Sequence, residues 1–126
     1  MTRSEFLARL LHVHFDSGLS WEDFVILSGG SLLLRGIRST TMDIDIAIKP
    51  EIAERINISR YPLNCKGLYV IAENCEAGID FANYPFDIVE GYQCQTLESI
   101  LEYKHQWQRP KDIEDIRVIE KHLSWH

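Results

Sequence analysis

The stretch FVILSGGSLLLRGIRSTTMDIDIAIK, residues 24–49, decides the reading of this chain. FVILS (24–28) is an apolar run that ends in the pair Gly29-Gly30, which predicts a strand delivered into a glycine turn. Ser31 then opens SLLLRG, long enough for little more than one helical turn before Gly36. MDIDIAI (42–48) alternates apolar and acidic residues, which predicts a second strand. Successive strand side chains point to opposite faces, so Met42, Ile44 and Ile46 share one face and Asp43 and Asp45 the other. Two carboxylates at neighbouring same-face positions repel, and each raises the other's pKa. A divalent cation removes the conflict, because Mg²⁺ takes hard oxygen ligands and commonly bridges carboxylates to substrate phosphates. The glycine turn offers the complement: amides at a helix start attract anions, and glycine lets the backbone approach closely. No Gly-Lys-Ser/Thr follows it, so it is not a Walker A loop.

Working outward, residues 2–17 read as a helix. Thr2 and Glu5 stand at capping-box spacing, and Gly18 suits a left-handed stop. Pro50 opens a short helix, PEIAERI, and residues 57–66 read as a loop. GLYVIAE (67–73) and EAGIDFA (76–82) are predicted strands, with PFDIVEG (85–91) a weaker candidate. Thr96 caps the helix TLESILEYKHQW. Pro110 starts a last helix, PKDIEDIRVIEKHLSW, with Ile113, Ile116, Ile119 and Leu123 on one side. The expected fold is α/β or α+β: a small mixed sheet of four or five strands with helices packed on it.

A length of 126 residues implies one domain, 1–126, able to bury roughly two-thirds of its unfolded surface. The net charge of −6 argues against tight, constitutive nucleic-acid binding, which needs cations to displace counterions. Cys65, Cys75 and Cys94 are odd in number and contain no CxxC, so a reduced, cytoplasmic protein is expected rather than a disulfide or zinc framework. No signal peptide and no membrane span are read from the sequence. His12 and His14 fall on different helix faces, and His122 and His126 lie at the chain end; neither pair reads as a metal site. Trp21, Trp107 and Trp125 read as core or interface residues.

Gly29-Gly30-Ser31, then eleven residues, then Asp43-Ile44-Asp45 resembles the signature of the DNA polymerase β-type nucleotidyltransferases. LEYKHQWQRPKDIEDI (101–116) is similar to the lysine helix and Arg-Pro-Lys-Asp segment of small stand-alone, abortive-infection-type members. Together the matched pieces cover about a third of the chain. The resemblance implies a Mg²⁺-dependent enzyme, with two metal ions (Mn²⁺ as an alternative), that moves a nucleoside monophosphate from a nucleoside triphosphate to an acceptor hydroxyl. It implies metal binding by Asp43 and Asp45, with a third acid acting as ligand or general base. Asp80 is favoured for that place, with Asp87 its rival. Gly29, Gly30 and the Ser31 hydroxyl are expected to hold phosphates, with Arg35 or Arg38 from the following loop and Lys104 from its helix. Lys111 is a further basic candidate, whereas Asp112 and Asp115 read as structural, with an Arg–Asp pair locking the last two helices. The acceptor is expected on a small molecule, a protein partner as in toxin–antitoxin pairs, or a tRNA end, recognised by a partner, a second copy or a shallow surface. The alternative is a catalytically silent, antitoxin-like binding module that kept the fold.

Overall fold

The computed structural model describes residues 1–124; Trp125 and His126 lie outside the described residues. Helix α1 (Arg3–Ser17) begins at the expected capping box. Glu5 N–H donates to Thr2 Oγ1, and Thr2 N–H donates to Glu5 Oε1 at 3.1 Å. Gly18, at φ 79°, ends it.

Strand β1 (Phe24–Ile26) leads into α2 (Ser28–Leu34), then β2 (Ile44–Ile48) and the short α3 (Pro50–Arg55). Next come β3 (Tyr69–Ala72), β4 (Cys75–Gly78), β5 (Phe86–Val89) and β6 (Tyr92–Gln95). Helix α4 (Leu97–Trp107), a 3₁₀ turn (Pro110–Asp112) and α5 (Ile113–Ser124) complete the chain. The sheet has six strands in the order β3-β4-β2-β1-β6-β5, one or two more than expected. β1 runs antiparallel to β2 and parallel to β6, while β2 runs parallel to β4.

Three local differences from the sequence reading have physical causes. β1 stops at Ile26 because Ser28, at φ 38°, already turns the chain into α2, so both glycines lie inside the helix rather than in a turn before it. β4 ends at Gly78, and Asp80 sits in the bend before a 3₁₀ turn (Phe81–Asn83) instead of in a strand. β6 was not expected at all. It pairs with β5 through the two-residue turn Glu90-Gly91, both at positive φ (54° and 88°), as tight hairpins require.

One core forms where Phe6, Leu10 and Val13 of α1 meet Ile26 of β1 and Ile44, Ile46 and Ile48 of β2. A second forms where Leu32 of α2 meets Leu97, Ile100 and Ile119 of α4 and α5. Of the expected apolar side of α5, Ile119 is buried and Ile113 is largely exposed. All three cysteines are free; burial pushes the Cys75 thiol up to about 12, which keeps it protonated and inert. Among the described residues no helix is long and apolar enough to cross a membrane.

Gly30 is required by packing. A Cβ there would stand 2.7 Å from both Phe6 Cζ and Ile26 Cγ2, and neither fully buried side chain has room to move. Gly30→Ala is expected to destabilise the fold. Overpacking costs about 1–3 kcal/mol, against a helix-propensity gain of at most about 1 kcal/mol. A thermal melt should fall by several degrees; a rise would mean that α1 stands further from α2.

Candidate active site

The alternation of β2 sends Ile44 and Ile46 into the core and Asp45 to the opposite face. Asp43 lies one residue before the strand and is exposed. The parallel register sets Ile44 beside Cys75, Asp45 beside Glu76 and Ile46 beside Ala77. Cys75 and Ala77 are buried, so Glu76 shares the face of Asp45. Burial first, then the charges of Glu76 and Asp43, push the Asp45 carboxyl above its ordinary value, with Lys66 partly offsetting them. Lys66 Nζ stands 3.6 Å from Glu76 Oε2.

These acids line a cavity of about 670 Å³, with Ser28, Gly29, Arg38, Thr41 and Asp80 also on its wall. Asp80 reaches it from beyond β4, its Oδ2 accepting from the Tyr84 hydroxyl at 3.1 Å. Gly78 makes this possible, because a Cβ there would lie 2.7 Å from Asp80 Oδ1. Gly29 is equally constrained. Its missing Cβ would lie 2.6 Å from Thr41 Oγ1 and 3.0 Å from Arg38 Nη1, so the loop between α2 and β2 closes directly over it.

Of the sequence-predicted residues, Asp43, Asp45, Asp80, Gly29, Arg38, Lys104 and Lys111 therefore meet at one cavity. Gly30 and Ser31 do not. Gly30 N–H donates to Leu27 O at 3.2 Å, and the fully buried Ser31 hydroxyl donates to Gln95 O at 2.8 Å. Ser28 takes the place on the wall, its strained backbone held by an N–H bond of 2.9 Å to Gln95 Oε1. Arg35 and Asp87 pair with each other at 3.0 Å, Asp87 being on edge strand β5, and neither lines the cavity.

The opposite wall is a charge network between α4 and α5. Lys104, only 4% exposed, donates to Asp112 Oδ1 at 3.0 Å and stands 3.2 Å from Asp115 Oδ2. Arg109 Nε donates to Asp112 Oδ2 at 2.6 Å within the connecting turn, so the expected Arg–Asp lock between the helices is local, and Lys104 makes the bridge from α4 instead. Arg38 Nε lies 3.5 Å from Asp115 Oδ1. Three cations thus face two anions, and the wall is positive opposite the acids of β2 and β4.

Several residues at this cavity escaped the sequence reading, among them Ser28, Glu76, Tyr84, Tyr103 and Trp107. Glu76 stands beside Asp45 only through the register of β4 against β2. Trp107, expected in a core or interface, is 50% exposed on the cavity wall. Trp21 is partly buried against the core, as expected. His12 pairs with Asp16, and His14 stacks on Trp21.

The donor types suit a hard divalent cation: Asp43, Asp45 and Glu76 offer carboxylate oxygens on one cavity wall, and Asp45 is raised first by burial and then by the charges of Glu76 and Asp43. Among the described residues no group of three or more His, Cys, Asp or Glu side chains is placed to hold a metal ion. Mg²⁺ normally needs no such group, because it keeps waters and takes phosphate oxygens alongside one or two carboxylates.

No protein-family profile matches the chain, and no curated protein sequence matches it. Solved structures do. A Thermotoga maritima protein assigned as a nucleotidyltransferase superposes with a TM-score of 0.58 at 20% identity, over 100% of this chain and 97% of that one. ANT(2″)-Ia, solved in complex with adenylyl-2″-tobramycin, superposes with a TM-score of 0.58 at 18% identity, over 94% of this chain and 88% of that one. With Asp45 on β2 and Asp43 just ahead of it, Gly29 on the preceding helix and near-complete overlap with both structures, the chain has the nucleotidyltransferase fold.

Proposed function

We propose that this chain is a Mg²⁺-dependent nucleotidyltransferase that moves a nucleoside monophosphate from a nucleoside triphosphate to an acceptor hydroxyl. The acceptor oxygen attacks the α-phosphorus, the bond from that phosphorus to its bridging oxygen breaks, pyrophosphate leaves, and the acceptor's proton passes to a carboxylate. The observation that carries this reading is the register pairing of Asp45 with Glu76, next to Asp43, on a cavity wall that faces cations.

In this reading Asp43 and Asp45 would hold the metal, with Glu76 beside Asp45 on the neighbouring strand. Bound there, Mg²⁺ or Mn²⁺ supplies the charge that stabilises the leaving pyrophosphate. Arg38 pairs with phosphate oxygens through its planar fork. Gly29 lets the backbone approach them, and Lys104 and Lys111 add positive potential. Asp80, at the rim and held by Tyr84, takes the acceptor's proton. The adenylylated tobramycin in the ANT(2″)-Ia structure supports a small hydroxylated acceptor; a protein hydroxyl and a tRNA end are the other classes to be compared.

Incubating the protein and a host lysate with labelled nucleoside triphosphates and Mg²⁺ should place label on one of these classes. Asp43→Asn/Asp45→Asn should cut the rate at least about 100-fold, as loss of a principal electrostatic group does. Unchanged labelling by that variant refutes the assignment. The internally bonded Gly30 amide and Ser31 hydroxyl favour the second reading, a silent binding module. That reading requires partner-dependent thermal stabilisation that survives the double substitution, with none from ATP and Mg²⁺.

A further inference from the structure

One wall of the cavity is aromatic, and apart from the Tyr84 hydroxyl that holds Asp80 the transfer proposed above makes no use of it. Tyr103 and Trp107 stand one turn apart on α4, their ring centroids 5.6 Å apart at 41°. Tyr84 continues the series, 5.4 Å from Tyr103 at 36°. All three line the cavity, and no other aromatic residue among the described ones does. One end of the series is tied to the acids through the bond from Tyr84 to Asp80. The other end is capped by the Arg109 guanidinium, 4.4 Å from the Trp107 ring centroid.

Resting on the nucleotidyltransferase reading above, we infer that the Tyr103–Trp107 face of α4 is the platform on which the nucleobase of the triphosphate stacks. Phosphates drawn to Arg38 and to the metal side of Asp45 leave the base to settle elsewhere in the same cavity. The aromatic face is the π surface available there, and 670 Å³ holds a whole nucleotide. Half of Trp107 stays open to receive a ring. Arg109 already lies over the indole and polarises the stack. Stacking is tolerant of base identity, because every base has a π face. The wall therefore ranks purines above pyrimidines by ring area and separates adenine from guanine weakly.

Calorimetric titration with ATP and with inorganic tripolyphosphate, both with Mg²⁺, tests this. Trp107→Leu and Tyr103→Leu/Trp107→Leu should weaken ATP binding at least about fivefold, leave tripolyphosphate binding within twofold, and keep a cooperative melt. Trp107→Phe should restore most of the ATP affinity. ATP binding unchanged in the leucine variants, or equal losses for ATP and tripolyphosphate, overturns the platform while leaving the acid site standing. If the unaltered protein binds neither ligand, or if Asp43→Asn/Asp45→Asn binds both as well as the unaltered protein does, the site reading falls and the platform with it.

Discussion

Replacing Lys104 with methionine should lower the free energy of unfolding by about 3–5 kcal/mol, the usual result of breaking a buried ion pair from one side. Methionine keeps the length of the aliphatic stem, so packing changes little and the loss reports the charge. Asp112, 2% exposed, and the mostly buried Asp115 would be left facing each other across the α4–α5 contact. Arg109 still bonds Asp112 and Arg38 still lies near Asp115, which pulls the expected value toward the lower bound. Urea unfolding measures it as a shift in midpoint at unchanged slope. Adding Asp115→Asn to Lys104→Met should recover part of the loss, because the neutral side chain no longer needs a cation. A loss below about 1 kcal/mol would show that Lys104 is not held as a buried ion.

The same network carries a pH signature. Burial alone would raise the Asp112 carboxyl, but hydrogen bonds and charge from Arg109 and Lys104 outweigh it and hold the carboxyl below its ordinary value. A carboxyl depressed in the folded state adds stability that is complete above its unfolded pKa and is lost as pH falls through the folded one. The stability gap between Lys104→Met and the unaltered protein should therefore narrow as pH falls through the acid range, because protonation removes the ion pair from the unaltered protein and relieves the uncompensated carboxylate in the variant. The network fixes Arg38 and Lys104 on the cavity wall.

The segment 24–49 was legible because its signals are local. The two-residue period placed Asp45 on the face opposite the core, whereas the glycine pair, expected to bring the backbone close to phosphate, makes room for neighbouring side chains. Their reasons differ, though: Gly29 admits the Arg38–Thr41 loop, and Gly30 admits Phe6 from α1. That second contact spans twenty-four residues of chain and no local pattern announces it. Glu76 needed the register of β4 against β2, which is a non-local fact. β6 (YQCQ) hid because its buried Gln95 looks like a surface residue; the glutamine is buried because it clamps Ser28 and Ser99. Trp107, expected in a core or interface, is half-exposed on the cavity wall, because one aromatic at helical spacing fits a core as well as a wall.

Asp45→Asn is expected to move stability and activity in opposite directions. Without metal, the Asp45 carboxyl is raised in the folded state by burial and by Glu76 and Asp43. For such a group the favourable contribution is complete below the unfolded pKa and is lost as pH rises through the folded one, so at neutral pH the ionised carboxylate burdens the fold. The amide removes that burden with almost no change in shape. The metal-free variant should therefore melt at a higher temperature than the unaltered protein at pH 7, and the gap should close as pH is lowered toward 4. Addition of Mg²⁺ and a nucleoside triphosphate should reverse the order. A ligand at 100 times its Kd stabilises the protein that binds it by about 2.7 kcal/mol, and the variant forfeits most of this together with at least about 100-fold in transfer rate. A variant that melts lower than the unaltered protein in the absence of metal would mean that Asp45 is a structural carboxylate with partners of its own. Equal stabilisation of both proteins by Mg²⁺ and nucleotide would place the ligand away from β2.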